Sequence, residues 1–465
     1  MFWHRNPLRQ LRSPLFVVGL RLAVTHCVLA VPAKNTNIAT ASCDKYKNSE
    51  KVEQLPDVSK SPLAPRRFPR IPEVAGVRLA VAAAGIKYRR RNDLLLAALS
   101  QGTTAAGVFT RSSTASAPVI WCRDNITSGR ARALLVNSGN ANAFTGDRGM
   151  HDVRWSATRV AKALACRPAG VLVASTGVIG EPLPVNRIDA VFPRLIGELG
   201  NASWYQAARA IVTTDTFPKG AYRRCQIGNT EITVAGIAKG SGMIAPNMAT
   251  MLAFVFTDAR IPASVLRSVH SATVDRSFNC ITVDSDTSTS DTSILVATGQ
   301  ARNAEPESIS DRALKNFKQA LLEVYVDLAT QVVKDGEGAS KFITIDVEGA
   351  TSNTAARKVG LAIAESPLVK TAIAGEDANW GRIVMAVGKS QAQVDQQLLS
   401  VSMGGVLIAH RGQRVAGYTE SIVDQHLKGS EIEITVNLGL GTGRARVWTC
   451  DLTHEYIRIN AEYRT

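Results

Sequence analysis

The chain has 465 residues, of which 45% are hydrophobic, and a formal net charge of +15; this length suits two or three domains or one large α/β body. Residues 1–70 hold 12 Lys and Arg against 4 Asp and Glu, so the remainder is only mildly basic, and it lacks the long basic runs that indicate a nucleic-acid partner. The seven cysteines form no Cys-x-x-Cys pair and the seven histidines show no metal-ligand spacing, which argues against a disulfide framework or a metal site.

The N-terminus differs from the rest of the chain. Residues 1–43 contain no Asp or Glu, and Arg5, Arg9 and Arg12 would share one face of a helix within a Leu/Phe/Val-rich stretch. An Arg-rich amphipathic leader without acids is typical of mitochondrial import. We therefore predict a transit peptide over residues 1–30 and a location in the mitochondrial matrix.

A secretory signal is the alternative interpretation of the leader, with its apolar core at Leu15–Leu29. Arg21 interrupts that core, and the odd cysteine count argues against export. No later apolar run reaches the ~20 residues that a membrane span needs. Residues 31–72, rich in Lys, Ser and Pro from residue 44 onward, predict a linker.

From about residue 73, short apolar runs alternate with helical periodicity, which predicts layered α/β or α+β sheets. The predicted strands are Ala131–Val136, Gly170–Ser175, Glu231–Ile237, Thr250–Thr257, Thr292–Thr298, Phe342–Val347, Glu431–Asn437 and Arg444–Cys450. The predicted helices are His151–Ala165, Ile188–Leu199, Ser203–Val212, Pro262–Val274, Ser308–Val333 and Asn353–Glu365. The last two strands, joined by the glycine-rich Leu438–Gly443, predict a hairpin.

Thr250 follows a loop rich in glycine and proline and precedes an apolar run. This layout suits a chain that cuts itself between Ala249 and Thr250, because the cut would leave the threonine with a free α-amino group beside its own hydroxyl. Attack on the Ala249 carbonyl would form an ester that water then opens. The alternative is a glycine-rich turn that opens an ordinary strand, and spacing alone favours that alternative.

Three further positions suggest acyl-transfer chemistry. Thr176 and Gly177 follow a strand candidate, where a hydroxyl and a backbone N–H could stabilise an oxyanion; the alternative is a tight turn. Lys239 could pair with a substrate carboxylate, or it could be a solvated loop lysine. Glu337 stands between two glycines and could contact an amine, or it could belong to a turn that ends the preceding helix.

Nine segments of the body form a further pattern, in the order Ala106–Thr110, Asn137–Ala143, Ser175–Gly180, Thr213–Thr216, Lys239–Leu252, Phe278–Asn279 with Ile281–Asp284, Asp335–Ala339, Glu376–Arg382 and Ile459–Thr465. Together they resemble the ornithine acetyltransferases of arginine biosynthesis, also called glutamate N-acetyltransferases. The resemblance covers roughly residues 73–465. Because many segments occur in the order of the family, it outweighs the ordinary interpretation of Thr250.

The resemblance implies a layered α/β (α+β) fold of the self-processing N-terminal-threonine acyltransferases, with mixed sheets between helical layers. It implies an α chain of residues 73–249 and a β chain that begins at Thr250 and ends at residue 465. Thr250 would be the nucleophile, with Thr176 and Gly177 as the oxyanion hole. The implied substrate contacts are Thr213, Lys239, Thr250, Glu337, Asn460 and Thr465.

The implied reaction is ping-pong. Acetyl moves from N2-acetylornithine to Thr250, ornithine leaves, and glutamate takes the acetyl group. No metal or cofactor is implied, although some family members also take acetyl from acetyl-CoA. The α and β chains of one precursor would stay together as a heterotetramer, without nucleic acid or membrane, and fungal members are matrix proteins.

The sequence departs from the family pattern at three neighbouring positions. Cys280 stands where arginine is usual, Ser285 where glycine is usual, and Ser290 where asparagine is usual. The loop of residues 278–291 is therefore expected to be shaped differently. Two other functions stay open at this point: a self-processing peptidase or amidase that passes the acyl group to water, and a non-catalytic organellar protein with a vestigial site.

Overall fold

The computed structural model describes residues 59–245 and 251–462. The predicted transit peptide of residues 1–30, Ala249 and Thr250 on either side of the predicted cut, and Thr465 lie outside these ranges. The strands are β1 (Val77–Ala82), β2 (Leu94–Leu99), β3 (Thr104–Phe109), β4 (Ala133–Asn140), β5 (Val171–Val178), β6 (Lys219–Ile227), β7 (Thr230–Lys239), β8 (Leu252–Thr257), β9 (Thr292–Ala297), β10 (Phe342–Ala350), β11 (Ser400–Met403), β12 (Val406–His410), β13 (Gln413–Arg414), β14 (Glu431–Asn437) and β15 (Gly443–Cys450). The helices are α1 (Ala117–Asn125), α2 (Gly146–Ala163), α3 (Val185–Gly197), α4 (Trp204–Ala210), α5 (Ala263–Val274), α6 (Lys315–Lys334), α7 (Asn353–Ala364), α8 (Pro367–Ala374), α9 (Trp380–Gly388), α10 (Ser421–Leu427) and α11 (His454–Glu462). In these two ranges no helix has the length and apolar character that crossing a membrane requires.

In the described part of the chain the strands form three mixed sheets that stack with helices. The strand orders are β1-β2-β4-β5 in the first sheet, β3-β9-β8-β7-β6 in the middle sheet, and β13-β12-β11-β14-β10-β15 in the last sheet. Helices α2 and α3 pack on the outer face of the first sheet, and the first and middle sheets share a core. Helices α5 and α6 cover the other face of the middle sheet and join the core of the last sheet. The predicted layered α/β class is therefore confirmed.

Strand β8 lies at the centre of the middle sheet, and all six of its residues are buried. Leu252, Phe254 and Phe256 face the core shared with the first sheet. Ala253 and Val255 face the core that α5 and α6 cover. A strand that is buried on both faces carries a continuous apolar run, which is why the sequence predicts this strand so clearly.

Several predicted elements have shifted ends, and two of these shifts have a visible cause. Strand β4 continues past Val136 through the polar Asn137–Asn140, because the parallel pairing with β5 extends over these residues. The long helix was predicted from Ser308, but α6 begins at Lys315. Before it, the Asp311 side chain accepts a hydrogen bond from a backbone N–H and starts a 3₁₀ turn instead.

The predicted hairpin of Glu431–Asn437 with Arg444–Cys450 is wrong. Strand β10 lies between these two strands, parallel to β14 and antiparallel to β15. The glycine-rich connection instead passes the end of β10, where the Leu438 N–H donates to the Glu348 carbonyl. The alternating pattern predicted both strands correctly, but it carries no information on a partner about 90 residues earlier in the chain.

The predicted linker of residues 31–72 is packed against the body from residue 59 onward. The Phe68 ring meets the Tyr205 ring edge to face, with centroids 5.4 Å apart. The Trp204 indole N–H donates to the Pro72 carbonyl at 2.9 Å. These contacts hold the Pro-rich stretch in one conformation. Because proline fixes its own φ angle, ordering this stretch costs less conformational entropy.

The middle sheet takes strands from both sides of the predicted cut. Strands β3, β6 and β7 precede residue 250, and β8 and β9 follow it. Strands β7 and β8 pair antiparallel, with Lys239 opposite Leu252. The two sides of the cut are thus hydrogen-bonded neighbours within one sheet.

Candidate active site

The end of β5 and the end of β7 bring two predicted site residues together. The Lys239 Nζ lies 3.4 Å from the Thr176 Oγ1, and both side chains are buried. Thr176 lies where the β4–β5 register shifts, so that Asn140 pairs with both Thr176 and Val178. Such an irregularity re-aims side chains at the rim of a sheet.

Gly177 occupies a position that only glycine fits. Its φ is +132°, and a Cβ there would lie 2.3 Å from the carbonyl carbon of Gly139. The two strands therefore approach more closely than side chains permit. The Thr176 hydroxyl and the Gly177 backbone lie at the end of β5, and their role as an oxyanion hole stays a prediction.

Lys239 is a buried cation. Burial lowers the pKa of its ammonium, while Asp215, Glu337 and Asp291 nearby raise it in part. The net direction is downward, which makes the neutral amine more accessible than in an exposed lysine. A lysine in this state can stabilise a developing negative charge beside Thr176 or pair with a carboxylate that enters the site.

Behind these residues lies an ion triad that the sequence analysis missed. The Lys219 Nζ is 2.7 Å from an Asp215 oxygen and 2.5 Å from an Asp335 oxygen, and all three side chains are 0% exposed. Burial opposes ionisation of Asp215, but Lys219 and, to a smaller extent, Lys239 hold the pKa of that carboxyl below its usual range. Burial raises the pKa of Asp335 despite Lys219.

Asp215 connects the triad to two predicted substrate contacts. One carboxylate oxygen accepts the Gly240 N–H at 2.6 Å, which fixes the backbone directly after Lys239. The other oxygen accepts the Thr213 N–H at 3.0 Å. One buried carboxylate thus sets the positions of both residues. The segment Thr213–Thr216 belonged to the family pattern, but sequence alone gave Asp215 no role.

Glu337 and Asn460, two of the predicted substrate contacts, are hydrogen-bonded to each other. The Asn460 Nδ2 donates to the Glu337 Oε2 at 2.9 Å, and the Glu337 N–H donates to the Ser241 carbonyl at 3.0 Å. Burial raises the pKa of the Glu337 carboxyl. Gly242 leaves room for it, since a Cβ there would lie 2.4 Å from the Glu337 Oε2.

A cavity of about 720 Å³ opens beside these groups. Thr213 and Glu337 line it, whereas Lys239 and Thr176 are not among its lining residues. Its lining carries both signs of charge, with Arg91 and Arg209 as well as the carboxylates. A cavity of this size and polarity suits a small zwitterion.

The predicted nucleophile Thr250, the cut-site residue Ala249 and the predicted contact Thr465 lie outside the described residues, so their predicted roles stay predictions. The next described residue after the cut is Met251, which is buried. Its backbone N–H donates to the Asp291 Oδ1 at 3.1 Å. The described chain therefore enters β8 beside Lys239, because Leu252, the first residue of β8, pairs with Lys239 across the sheet.

The three departures from the family pattern lie in the loop of residues 278–291. Cys280 is buried, and burial raises the pKa of its thiol to about 11. Ser285 has a φ of +69°, in the left-handed region that favours glycine. The neighbouring Asp284 accepts the N–H groups of Met243 and Ile244 at 2.5 and 2.8 Å. The loop therefore helps to hold the turn that leads toward the predicted cut.

The described residues contain no group of three or more His, Cys, Asp or Glu side chains that could hold a metal ion. The groups that do converge are a hydroxyl, a glycine backbone, a buried lysine and a buried glutamate. These can stabilise an oxyanion and bind charged ends of a small amino acid. This combination suits acyl transfer.

Comparison with known proteins gives the following likenesses. A family model described as the ArgJ family matches residues 78–465. An arginine biosynthesis bifunctional protein ArgJ of Gluconobacter oxydans is 55% identical over 405 residues, which cover 87% of this chain and 95% of that protein. One of Nitrobacter winogradskyi is 53% identical over 412 residues, or 87% of this chain and 99% of that protein. A crystal structure of an arginine biosynthesis bifunctional protein of Bacillus halodurans is 41% identical, with a TM-score of 0.45, and covers 46% of this chain and 100% of that one.

Proposed function

This chain belongs to the ArgJ family, and from that premise we propose that it carries acetyl on Thr250 from N2-acetylornithine to glutamate. It is an acyltransferase of arginine biosynthesis. The observation that carries the proposal is the approach of the Lys239 Nζ to the Thr176 Oγ1, at 3.4 Å. Glu337, which lines the cavity together with Thr213, is close enough to act electrostatically on Lys239. Strand β8, which follows Thr250 in sequence, pairs with the strand that ends in Lys239.

In the proposed maturation the chain cuts itself between Ala249 and Thr250. The Thr250 hydroxyl adds to the Ala249 carbonyl, the C–N bond breaks as the ester forms, and water opens the ester. The products are an α chain that ends at Ala249 and a β chain that begins at Thr250. The shared middle sheet supports the view that the two chains stay together after the cut.

In the proposed transfer, the Thr250 Oγ attacks the acetyl carbonyl while its own α-amine accepts the hydroxyl proton. The oxyanion is stabilised by the Thr176 hydroxyl and the Gly177 N–H, with the Lys239 Nζ beside them. As the C–N bond breaks, the proton passes to the nitrogen of ornithine, which leaves. The amine of glutamate then attacks the ester and regenerates the free hydroxyl of Thr250.

The cavity supports the binding of both substrates. Ornithine and glutamate share an α-carboxylate, but one has a cationic tail and the other an anionic tail. The lining offers Glu337 to a cation and Arg91 and Arg209 to an anion. We propose Thr213, Lys239, Glu337, Asn460, Thr250 and Thr465 as the substrate contacts. Acetyl-CoA is proposed only as an alternative acetyl donor, and no cofactor is required.

The test compares the wild type with Thr250→Ala and Thr250→Ser. We expect the wild type to give two fragments by intact mass, the smaller one beginning at Thr250, and to move labelled acetyl from acetylornithine to glutamate. T250A should remain a single chain without transfer, and T250S, which keeps a hydroxyl, should retain part of both activities. Cleavage of T250A would refute the proposal. Acetate release from the wild type without glutamate would instead indicate an amidase.

We also propose a heterotetramer of two αβ units in the mitochondrial matrix. The support for the location is the acid-free, Arg-containing composition of residues 1–43. A fusion of residues 1–58 to a fluorescent reporter should be imported by mitochondria and shortened there. A cytosolic, uncut reporter would count against the location. Sedimentation of the purified enzyme at the mass of a single αβ unit would count against the heterotetramer.

A further inference from the structure

Arg91 is a half-buried cation that lines the cavity of the candidate site. Its Nη2 donates to the Val212 carbonyl and, at 3.3 Å, to the Ser138 hydroxyl. Its Cζ lies 4.4 Å from the centroid of the Tyr88 ring, within the range of a cation–π contact. These contacts hold the guanidinium beside the backbone that leads into Thr213, a proposed substrate contact, and leave its Nε and Nη1 donors for a ligand.

The carboxylates that line the cavity are all held by groups other than Arg91. Two share Lys219, one accepts from Asn460 and one pairs with Arg458; they are Asp215 and Asp335, Glu337, and Glu455, respectively. Among the described residues, no carboxylate forms an ion pair with Arg91. Arg91 therefore brings to the cavity a positive charge that no carboxylate of the described chain neutralises by contact.

The partial burial of Arg91 makes this charge costly. Burial lowers the pKa of its guanidinium, and the nearby Tyr88 and two aspartates raise it only in part. Arg90 and Arg209 also line the cavity, but both are exposed, so water solvates their charges. Because Arg91 has lost part of its hydration, it gains the most from an anion that enters the cavity.

We propose that Arg91 is the residue that determines specificity for glutamate, because its guanidinium binds the side-chain carboxylate of this acceptor. The inference rests on the proposed function, since it assumes that one cavity takes acetylornithine and glutamate in turn. The planar guanidinium matches a carboxylate with two parallel hydrogen bonds. Glu337 serves the cationic tail of ornithine, and the α-carboxylate that both substrates share is left to the other proposed contacts.

The experiment compares glutamate with glutamine as the acceptor of acetyl from acetylornithine. Glutamine has nearly the same shape without the charge, so the ratio of the two kcat/KM values reports recognition of the carboxylate. This ratio does not depend on the amount of folded enzyme. In Arg91→Met we expect the ratio to fall about 10- to 100-fold, as for the loss of a charge-assisted hydrogen bond. The rate at which acetylornithine acetylates the enzyme should change less than threefold.

Arg90→Met is the matched control, because it removes the same charge from the neighbouring, exposed residue of the same cavity. R90M should keep the wild-type ratio. An R91M enzyme with the wild-type ratio would overturn the inference, even if its kcat/KM falls for both acceptors, and so would an equal loss of the ratio in R90M. The proposed function would still stand in both cases.

A wild type that acetylornithine does not acetylate would overturn the proposed function and this inference with it. If R91M does not fold, Arg91→Lys keeps the charge but loses the planar fork that matches a carboxylate. We then expect the ratio of glutamate to glutamine to fall about three- to tenfold. A wild-type ratio in R91K would overturn the inference.

Discussion

The substitution Lys219→Met should destabilise the protein more than the loss of any exposed ion pair on the same strand. Lys219 begins β6 and is the shared cation of Asp215 and Asp335, at 2.7 and 2.5 Å. All three side chains are 0% exposed. Methionine fills a similar volume, so the variant removes the charge and leaves two carboxylates buried without their cation.

Removing one partner of a buried ion pair costs about 3–5 kcal/mol, because the remaining charge is uncompensated. The control is Arg223→Met on the same strand. Arg223 lies 3.0 Å from Glu323, but the two side chains are 40% and 43% exposed, and such a pair contributes about 0–1 kcal/mol. The expected difference between the two variants is therefore at least about 2 kcal/mol.

Urea unfolding followed by tryptophan fluorescence measures this difference in the free energy of unfolding. In K219M the two orphaned carboxyls should be protonated more readily, so the deficit relative to the wild type should shrink as the pH falls. Adding Asp335→Asn should restore part of the stability, because it removes one of the two carboxylates. A K219M protein that loses no more stability than R223M would refute this account of the triad.

Three further predictions concern single positions. Burial lowers the pKa of His270 to about 3, so the folded protein binds fewer protons than the unfolded chain below pH 6.5. This difference should lower the free energy of unfolding by about 1.4 kcal/mol per pH unit between pH 6 and 4. Urea unfolding at several pH values should show a weaker pH dependence of stability in His270→Gln than in the wild type. Gly177→Ala places a Cβ 2.3 Å from Gly139; acetyl transfer should fall at least about 100-fold, and a wild-type rate would contradict the oxyanion role. Gly242→Ala places a Cβ 2.4 Å from the Glu337 carboxylate, which must then move. Steady-state kinetics should show the KM for acetylornithine raised roughly tenfold, or about 1.4 kcal/mol. An unchanged KM would argue against Glu337 as a substrate contact.

The sequence predicted those parts of the fold that local pattern determines. The apolar run after Thr250 became β8 because two layers cover it, and the helical periodicity of Ser308–Val333 became α6, which begins at Lys315. The hairpin failed because the choice of a strand partner depends on packing across the whole sheet. Strand β10 takes the place between β14 and β15, and no local pattern reports such a choice.

The candidate site, like the fold, could be predicted from the sequence only in part. The residues themselves suggested Thr176, Lys239 and Glu337 as candidates, and only the resemblance added Asn460. The structure places Lys239 beside Thr176 and Asn460 beside Glu337. Asp215, Lys219 and Asp335 were missed as a group, because Lys219 and Asp335 are 116 residues apart in the chain and each stands among residues typical of turns or solvated loops. Only burial distinguishes a structural charge from a solvated one.

The middle sheet has a consequence for the order of folding and the proposed cut. Because β7 and β8 pair along six residues and lie on opposite sides of that cut, a chain that is cut should fold before it is cut. A fragment made separately from Leu252 onward would keep the β8–β9 pair but would expose the edge of β8 that β7 covers and the edge of β9 that β3 covers, which favours aggregation over reassembly. If the chain is cut as proposed, two independently translated halves should therefore yield insoluble protein, whereas a single chain that folds before the cut should yield soluble enzyme.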